Sequence, residues 1–389
     1  MKKYLAVLGR QPLISVAELE AQFGGVRLVG AELAEFESER EPEIARLGGT
    51  LKIAVPIEGA LVPWLLGRPA EGKITLGVSD YSRRATARTA TAEALKCKRI
   101  LAKRGQSVRV VPNRAATLSS ATSFHNHLTG ETKIELLKVG GRYYRVIQVQ
   151  NINAYARRDQ ERPARDAKVG MLPPKLAQIL INLAGELRPG ATVLDPFCGT
   201  GVVLQEALLM GYRAYGTDVS ERMVEYSQRN LEWLAGARGR AGTRKVTGGA
   251  GAGSGAGMGA RDFRVEVGDA TKFSWQPPIG AVAAEVYLGP PMSAPPTEMK
   301  LKAAKQECGG ILLGCLRNLA GQLTPGTPVV LAVPAWRRPN GAYERLNLLD
   351  EIEQLGYNVR SFKNLAQSDL LYHREQQVVA REIIVLRKK

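Results

Sequence analysis

Val193-Leu194-Asp195-Pro196-Phe197-Cys198-Gly199-Thr200-Gly201 is the stretch that decides how this chain folds. Val193 and Leu194 end a short apolar strand. An acid follows, and then a two-glycine turn opens an apolar helix carrying Val202, Val203, Leu204, Ala207 and Leu208. Glycine suits such a turn because a side chain would keep a ligand from lying against the backbone. Strand, glycine turn and helix in succession build a nucleotide-type pocket at the carboxyl edge of a parallel sheet. A dinucleotide fingerprint would need a third glycine where Leu204 stands, which counts against a nicotinamide cofactor.

Working outward, strands and helices alternate from Ala191 to the end, the pattern of a doubly wound α/β sheet. Strands are expected at 192–194, 214–216, 263–267, 281–287, 329–333, 359–362 and 378–386. Residues 236–260 are mostly glycine, alanine and arginine; they cannot bury a core and are expected to form a disordered surface insertion. Upstream, Pro173-Pro174 opens a helix whose apolar face is Leu176, Ile179, Leu180 and Leu183. Asp218 stands 23 residues after Asp195, at the end of the second strand, where an acid can accept from both hydroxyls of a ribose. Asp269 ends the third strand and is placed to accept from an adenine amino group. Either acid alone also reads as a helix cap or turn residue. Three acids at successive strand ends are much more specific.

A chain of 389 residues has room for two or three domains. Its formal charge of +17 points to a polyanionic partner. The charge is uneven: residues 1–82 carry about −2, residues 83–165 about +13 and the remainder about +6. The four cysteines show no C-x-x-C pairing, and with three histidines they offer no recognisable metal site. No segment reaches the roughly 18–20 apolar residues needed to span a bilayer, and the amino terminus has no cleavage signal. A reducing, cytoplasmic setting is the plain expectation.

The strongly basic segment separates two patterned regions. Residues 1–82 read β-α-β-β-α-β, with strands at 4–8, 26–36, 51–57 and 74–78, which suits a ferredoxin-like domain. Helices are expected at 15–23, with Ser15 as N-cap before Glu18, and at 43–47. Next come a helix over 89–104 and extended segments at 108–111 and 134–149, with a short helix near 120–128 between them. Tyr143-Tyr144-Arg145-Val146-Ile147 mixes aromatic and basic residues. An RNA-facing sheet edge and a half-buried strand with solvated charges explain it equally well. Residues 157–166 read as a polar linker. His125-Asn126-His127 lacks the spacing and acid partners of a nuclease site and reads as polar helix surface.

D-P-F-C-G-T-G at Asp195–Gly201 resembles the S-adenosylmethionine loop of Rossmann-like methyltransferases, especially those that methylate exocyclic amines of bases. With the approach Arg162-Pro163 to Leu172-Pro173-Pro174-Lys175-Leu176-Ala177 and the domain order, the chain resembles the THUMP-containing tRNA (guanine-N2-)-methyltransferases that act at position 10. The resemblance implies an α/β chain whose Rossmann-like methyltransferase domain spans 172–389. An α+β ferredoxin-like domain (1–82), a THUMP-like RNA-binding domain (83–152) and a linker (153–171) precede it. It implies S-adenosyl-L-methionine as cofactor, held by Asp195, Phe197, Cys198, Gly199, Gly201, Asp218 and Asp269, and tRNA as partner. A small activating protein is a further candidate partner, because eukaryotic relatives in the family work with one. Such enzymes carry Asp/Asn-Pro-Pro-Tyr/Phe at the fourth strand end. Here Glu285-Val286-Tyr287-Leu288-Gly289-Pro290-Pro291 occupies that place, so Glu285 is expected to orient the amine and Tyr287 to stack or line the site. Two other readings stay open: a DNA amino-methyltransferase, and a non-catalytic RNA-binding pseudo-methyltransferase that has lost the acceptor motif.

Overall fold

A computed structural model describes residues 1–68, 72–166, 171–241, 262–375 and 377–389. The chain forms two compact units, 1–156 and 157–389.

The first unit runs β1 (Lys2–Leu8), α1 (Pro12–Phe23), β2 (Val26–Gly30), β3 (Leu33–Ser38), β4 (Thr50–Pro56), α2 (Leu61–Leu66), β5 (Ile74–Asp80), α3 (Ala87–Ala102), β6 (Val108–Val110), α4 (Ser120–His125), β7 (Lys133–Val139) and β8 (Arg142–Val149). Helix α5 (Ile152–Gln160) crosses the unit boundary. These strands make one eight-stranded sheet in the order β2-β3-β1-β4-β8-β7-β5-β6. Residues 1–82 therefore share a sheet with 83–152: β4 pairs with β8, and β5 pairs with β7 and β6. The reason is burial. Every residue of β5 is buried, and Ile74, Leu76 and Val78 pack with Ala94, Cys97 and Leu101 of α3.

Two local expectations need correction, and one reading left open is decided. The strand expected over 26–36 is a hairpin, β2 and β3, turning at residues 31–32. Helix α1 starts at Pro12 rather than Ser15, because proline at N1 presets the helical φ and its missing N–H costs nothing there. Ser15 instead donates to Gln11 O at 3.0 Å, and Glu18 accepts from the Gly48 and Gly49 amides at 2.9 and 2.8 Å. Third, β8 is an interior strand and not an edge. Its polar groups find partners at home: Tyr143 and Tyr144 donate to Glu93 and Glu35 at 2.7 and 2.8 Å, and Arg145 donates to Glu131 at 2.9 Å. The half-buried strand is the reading that holds.

The second unit runs α6 (Pro174–Leu183), β9 (Thr192–Asp195), α7 (Val202–Leu209), β10 (Arg213–Asp218), α8 (Glu221–Ala241), β11 (Phe263–Val267), β12 (Ala281–Glu285), α9 (Glu298–Ala320), β13 (Pro328–Arg337), β14 (Tyr343–Glu344), α10 (Leu349–Gln354), β15 (Tyr357–Val359), β16 (Leu371–Tyr372) and β17 (Val379–Lys388). The sheet order is β11-β10-β9-β12-β13-β17-β15. Strands β9 to β13 are parallel, while β17 runs antiparallel between β13 and β15. The order reverses between β9 and β12, the switch point where doubly wound sheets open a crevice at their carboxyl edge. Of the insertion expected at 236–260, residues 236–241 close α8 and the rest lies outside the described residues. Among the described residues no helix is long and apolar enough to cross a membrane.

Candidate active site

The register of the parallel strands brings the acids together. Gly216 of β10 lies opposite Asp195 of β9, Asp218 lies opposite Val267 of β11, and Val282 of β12 lies opposite Leu194. Asp269, Asp218, Asp195 and Glu285 therefore sit at the carboxyl ends of four adjacent strands.

The loop after β9 is shaped by close backbone approach. Gly199 and Gly201 have φ of +49° and +80°, a region that penalises L side chains. A Cβ on Gly201 would stand 2.7 Å from Ser227 Oγ on α8, whereas one on Gly199 would meet only Phe197 O at 4.0 Å. One glycine thus lets a helix pack closely, and the other leaves open space before the loop. Cys198 N donates to Thr217 O at 2.9 Å and Ser227 Oγ to Gly199 O at 2.8 Å, which fixes the loop between β10 and α8. The Cys198 thiol is buried, with its pKa pushed well up by that burial, and Ser227 Oγ lies 3.6 Å from its sulfur. Phe197 packs against the main apolar cluster of the unit.

Each acid has its own environment. Asp195 is 2% exposed and accepts from Phe197 N at 3.0 Å. Burial raises its pKa far above the usual carboxylate range, and the charges of Asp218 and Glu285 add to the effect. Asp218 accepts from Gly199 N and Ser220 N, both at 2.9 Å. Burial raises its pKa too, against those two amides. The cap at the start of α8 uses only part of this carboxylate's accepting capacity, since two of its lone pairs are not used by those amides. Asp269 is more open. Its carboxylate accepts from the amide and hydroxyl of Thr271 at 3.0 and 2.7 Å, which lowers its pKa. Asn318 of α9 and Gln322, two residues past the end of that helix, donate to the carbonyls of the turn that follows Asp269.

On the acceptor side, β12 ends at Glu285, earlier than expected, and Val286 N reaches back to Ala332 O at 3.1 Å. Glu285 Oε1 accepts from Arg381 Nε at 2.6 Å. Tyr287 is 37% exposed, and burial with the Glu307 charge beside it on α9 raises its phenol pKa. The expected pair is thereby separated in partner: Glu285 is tied to β17 and Tyr287 leans on α9.

The supposed linker contributes residues that sequence reasoning missed. Arg162, Ala164 and Asp166 are buried. Asn230 of α8 is bonded to both the amide and the carbonyl of Ala164, at 3.0 and 2.9 Å, and also donates to Thr200 O at 2.9 Å. Arg162 Nη1 approaches Thr200 Oγ1 at 3.5 Å, and Arg222 pairs with Asp166 at 2.8 Å. A run of alternating charge gave no signal that three of its ten residues are buried. Only the burial of every second residue there would have done so.

Residues 162–246 match the family described as RMKL-like, methyltransferase domain (UPF0020). The tRNA (guanine(10)-N2)-dimethyltransferase of Methanothermobacter thermautotrophicus is 51% identical over 63 residues, 16% of this chain and 18% of that protein. The protein of the same name from Pyrococcus abyssi is 39% identical over 101 residues, 26% of this chain and 22% of that protein. The chain thus matches only about a fifth of the length of these curated relatives. Among solved structures, TrmN from Thermus thermophilus aligns over 100% of both chains with 18% identity and a TM-score of 0.47. The family and sequence matches bear out the resemblance read from the sequence: residues 162–246 of this chain are similar to the RMKL-like methyltransferase domain.

Proposed function

We propose that this chain uses S-adenosylmethionine to methylate the exocyclic N2 amine of a guanosine in tRNA, at position 10 by analogy with the names of its relatives. The observation that carries the reading is the row of four carboxylates at adjacent strand ends beside an open glycine loop, within a methyltransferase-family domain. Acids in a row suit a ligand that offers hydroxyl and amino donors and a positive charge. They would repel the pyrophosphate of a dinucleotide.

In this reading Asp218 takes the ribose hydroxyls and Asp269 the adenine amine. Phe197, Cys198, Gly199 and Gly201 shape the backbone cradle, and Asp195 faces the cationic end. Held by these residues, the cofactor would supply an electrophilic methyl group to the N2 amine. Glu285 orients that amine and Tyr287 lines the approach, so the chain's contribution is alignment more than activation. The target base must leave its stack to enter, at a cost of a few kcal/mol. We assign residues 1–82 as the ferredoxin-like portion and 83–152 as the THUMP-like portion, whose excess of positive charge supports contact with tRNA phosphates.

The test is methyl incorporation from labelled S-adenosylmethionine into unmodified tRNA transcripts and into genomic DNA, followed by nucleoside analysis. N2-methylated guanosine in tRNA is the expected product. Label in DNA alone would favour the DNA reading. Binding of cofactor and tRNA with no transfer would favour the scaffold reading.

A further inference from the structure

The strand end that presents the target amine in the proposed reaction carries an ion pair which no local motif announces. Glu285 closes β12, and Arg381 lies on β17 with β13 between them. The registers place Ala332 opposite Glu285 and Pro334 opposite Arg381, so the arginine stands two residues further toward the carboxyl edge. From there its Nε donates back to Glu285 Oε1 at 2.6 Å, while Nη1 donates to Gln377 Oε1 at 3.2 Å. The Arg381 side chain is 6% exposed and that of Glu285 16%. A guanidinium anchored through two of its nitrogens and almost wholly buried is a rigid holder, because its donors lie in one fixed plane. Among the described residues nothing donates to Glu285 Oε2.

We infer that Arg381 is a positioning residue for methyl transfer, fixing the Glu285 carboxylate so that its free lone pairs meet the N1–H and N2 amine of the target guanine. The inference rests on the guanosine reading above. It gives the glutamate a physical purpose where relatives of this type use Asp or Asn in a proline-stiffened loop. The extra methylene makes the side chain longer and looser, and the guanidinium removes that looseness from the far side. Chemistry also gives the pair selectivity. A carboxylate only accepts hydrogen bonds, and guanine places two donors side by side. Adenine and cytosine place an accepting ring nitrogen next to their amine, which a held carboxylate repels.

The experiment uses the full chain and a pool of unmodified tRNA transcripts. It compares wild type with Arg381→Ala, Arg381→Lys, Glu285→Gln and the Arg381→Ala/Glu285→Gln double variant. Affinity for S-adenosylhomocysteine and melting temperature are measured alongside kcat and KM. Arg381→Ala is expected to lower kcat for N2-guanosine methylation about 10- to 100-fold, with transcript KM and S-adenosylhomocysteine affinity within about twofold of wild type. Arg381→Lys should recover part of the loss. The double variant should be no worse than Glu285→Gln alone, because the two residues act as one unit. Wild-type activity in Arg381→Ala overturns the inference and leaves the functional reading intact. A loss of kcat that comes with lower melting temperature and weaker S-adenosylhomocysteine binding, and that lysine does not restore, assigns Arg381 a purely structural role and also overturns it. If wild type makes no N2-methylguanosine at all, the functional reading fails first and takes the inference with it.

Discussion

Replacing Gly201 with alanine tests the close approach that shapes the glycine loop after β9. Gly201 has φ of +80°, and an added Cβ would stand 2.7 Å from Ser227 Oγ, 3.2 Å from Ser227 Cβ and 3.3 Å from Ser227 Cα. Left-handed backbone costs an L residue about 1–2 kcal/mol. Overpacking against a helix whose backbone cannot easily retreat adds about 1–3 kcal/mol, so the variant should lose about 2–5 kcal/mol. Gly211 supplies an internal control: its φ is +82°, yet a Cβ there meets nothing within 4 Å. Gly211→Ala should therefore show the backbone cost alone, about 1–2 kcal/mol. Ser227→Ala gives a second check. By itself it removes the bond to Gly199 O and should cost about 1 kcal/mol, but in the Gly201→Ala background it should cost nothing or restore stability, since the nearest clashing atom is gone. Urea denaturation at fixed pH reads all four variants, and calorimetry with S-adenosylhomocysteine reports whether the displaced loop still binds. Equal destabilisation of Gly201→Ala and Gly211→Ala would refute the argument, because it would show that α8 yields freely at Ser227.

In the first unit, Lys52 and Glu135 are almost wholly buried and bonded at 2.5 Å, with Ser79 and Ser123 also donating to Glu135 at 2.6 Å. Glu135→Ala strands the ammonium and should cost about 3–5 kcal/mol, much of it recovered by adding Lys52→Met; an unchanged urea midpoint in Glu135→Ala would contradict this. Burial raises the Glu206 carboxyl to about 7, although Arg158 pairs with it at 2.6 Å. A folded-state pKa above the unfolded one makes its contribution to stability full below the unfolded value and lost as pH rises through the folded value. Wild type should thus lose about 1–3 kcal/mol relative to Glu206→Gln between pH 5 and 8, and parallel stability curves for the two proteins would rule that out. If the basic segment holds tRNA through phosphates, log affinity should fall linearly with log salt, and reversing the exposed charges of Arg99 and Lys103 should make the slope shallower by about 1–2. Filter binding across a salt series measures this, and an unchanged slope would place those phosphate contacts elsewhere.

Some features of this protein are local, and these the sequence determined. The run from Val193 to Gly201 carries its own instructions: an apolar strand, an acid and two glycines that turn out to need positive φ. The segment 263–267 was bounded correctly as a strand because its alternation is short and flanked by polar turns. The positions of Asp218 and Asp269 were legible because Asp218 closes β10 and Asp269 lies in the turn two residues past β11. What the tertiary structure decided are contacts between residues far apart in the chain. Glu285 and Arg381 are 96 residues apart and meet only because β17 inserts antiparallel beside β13, an order that no hydrophobic pattern encodes. The single sheet uniting residues 1–82 with 83–152 depends likewise on which strand edges pair, and period-two alternation is the same for every choice of neighbour. Buried charge is the hardest to foresee: Arg162 and Asp166 look like solvated linker until α7, α8 and the glycine loop close over them. Periodicity reports which face of a segment is buried. It cannot report which distant charge waits there, because that depends on packing the whole chain settles at once.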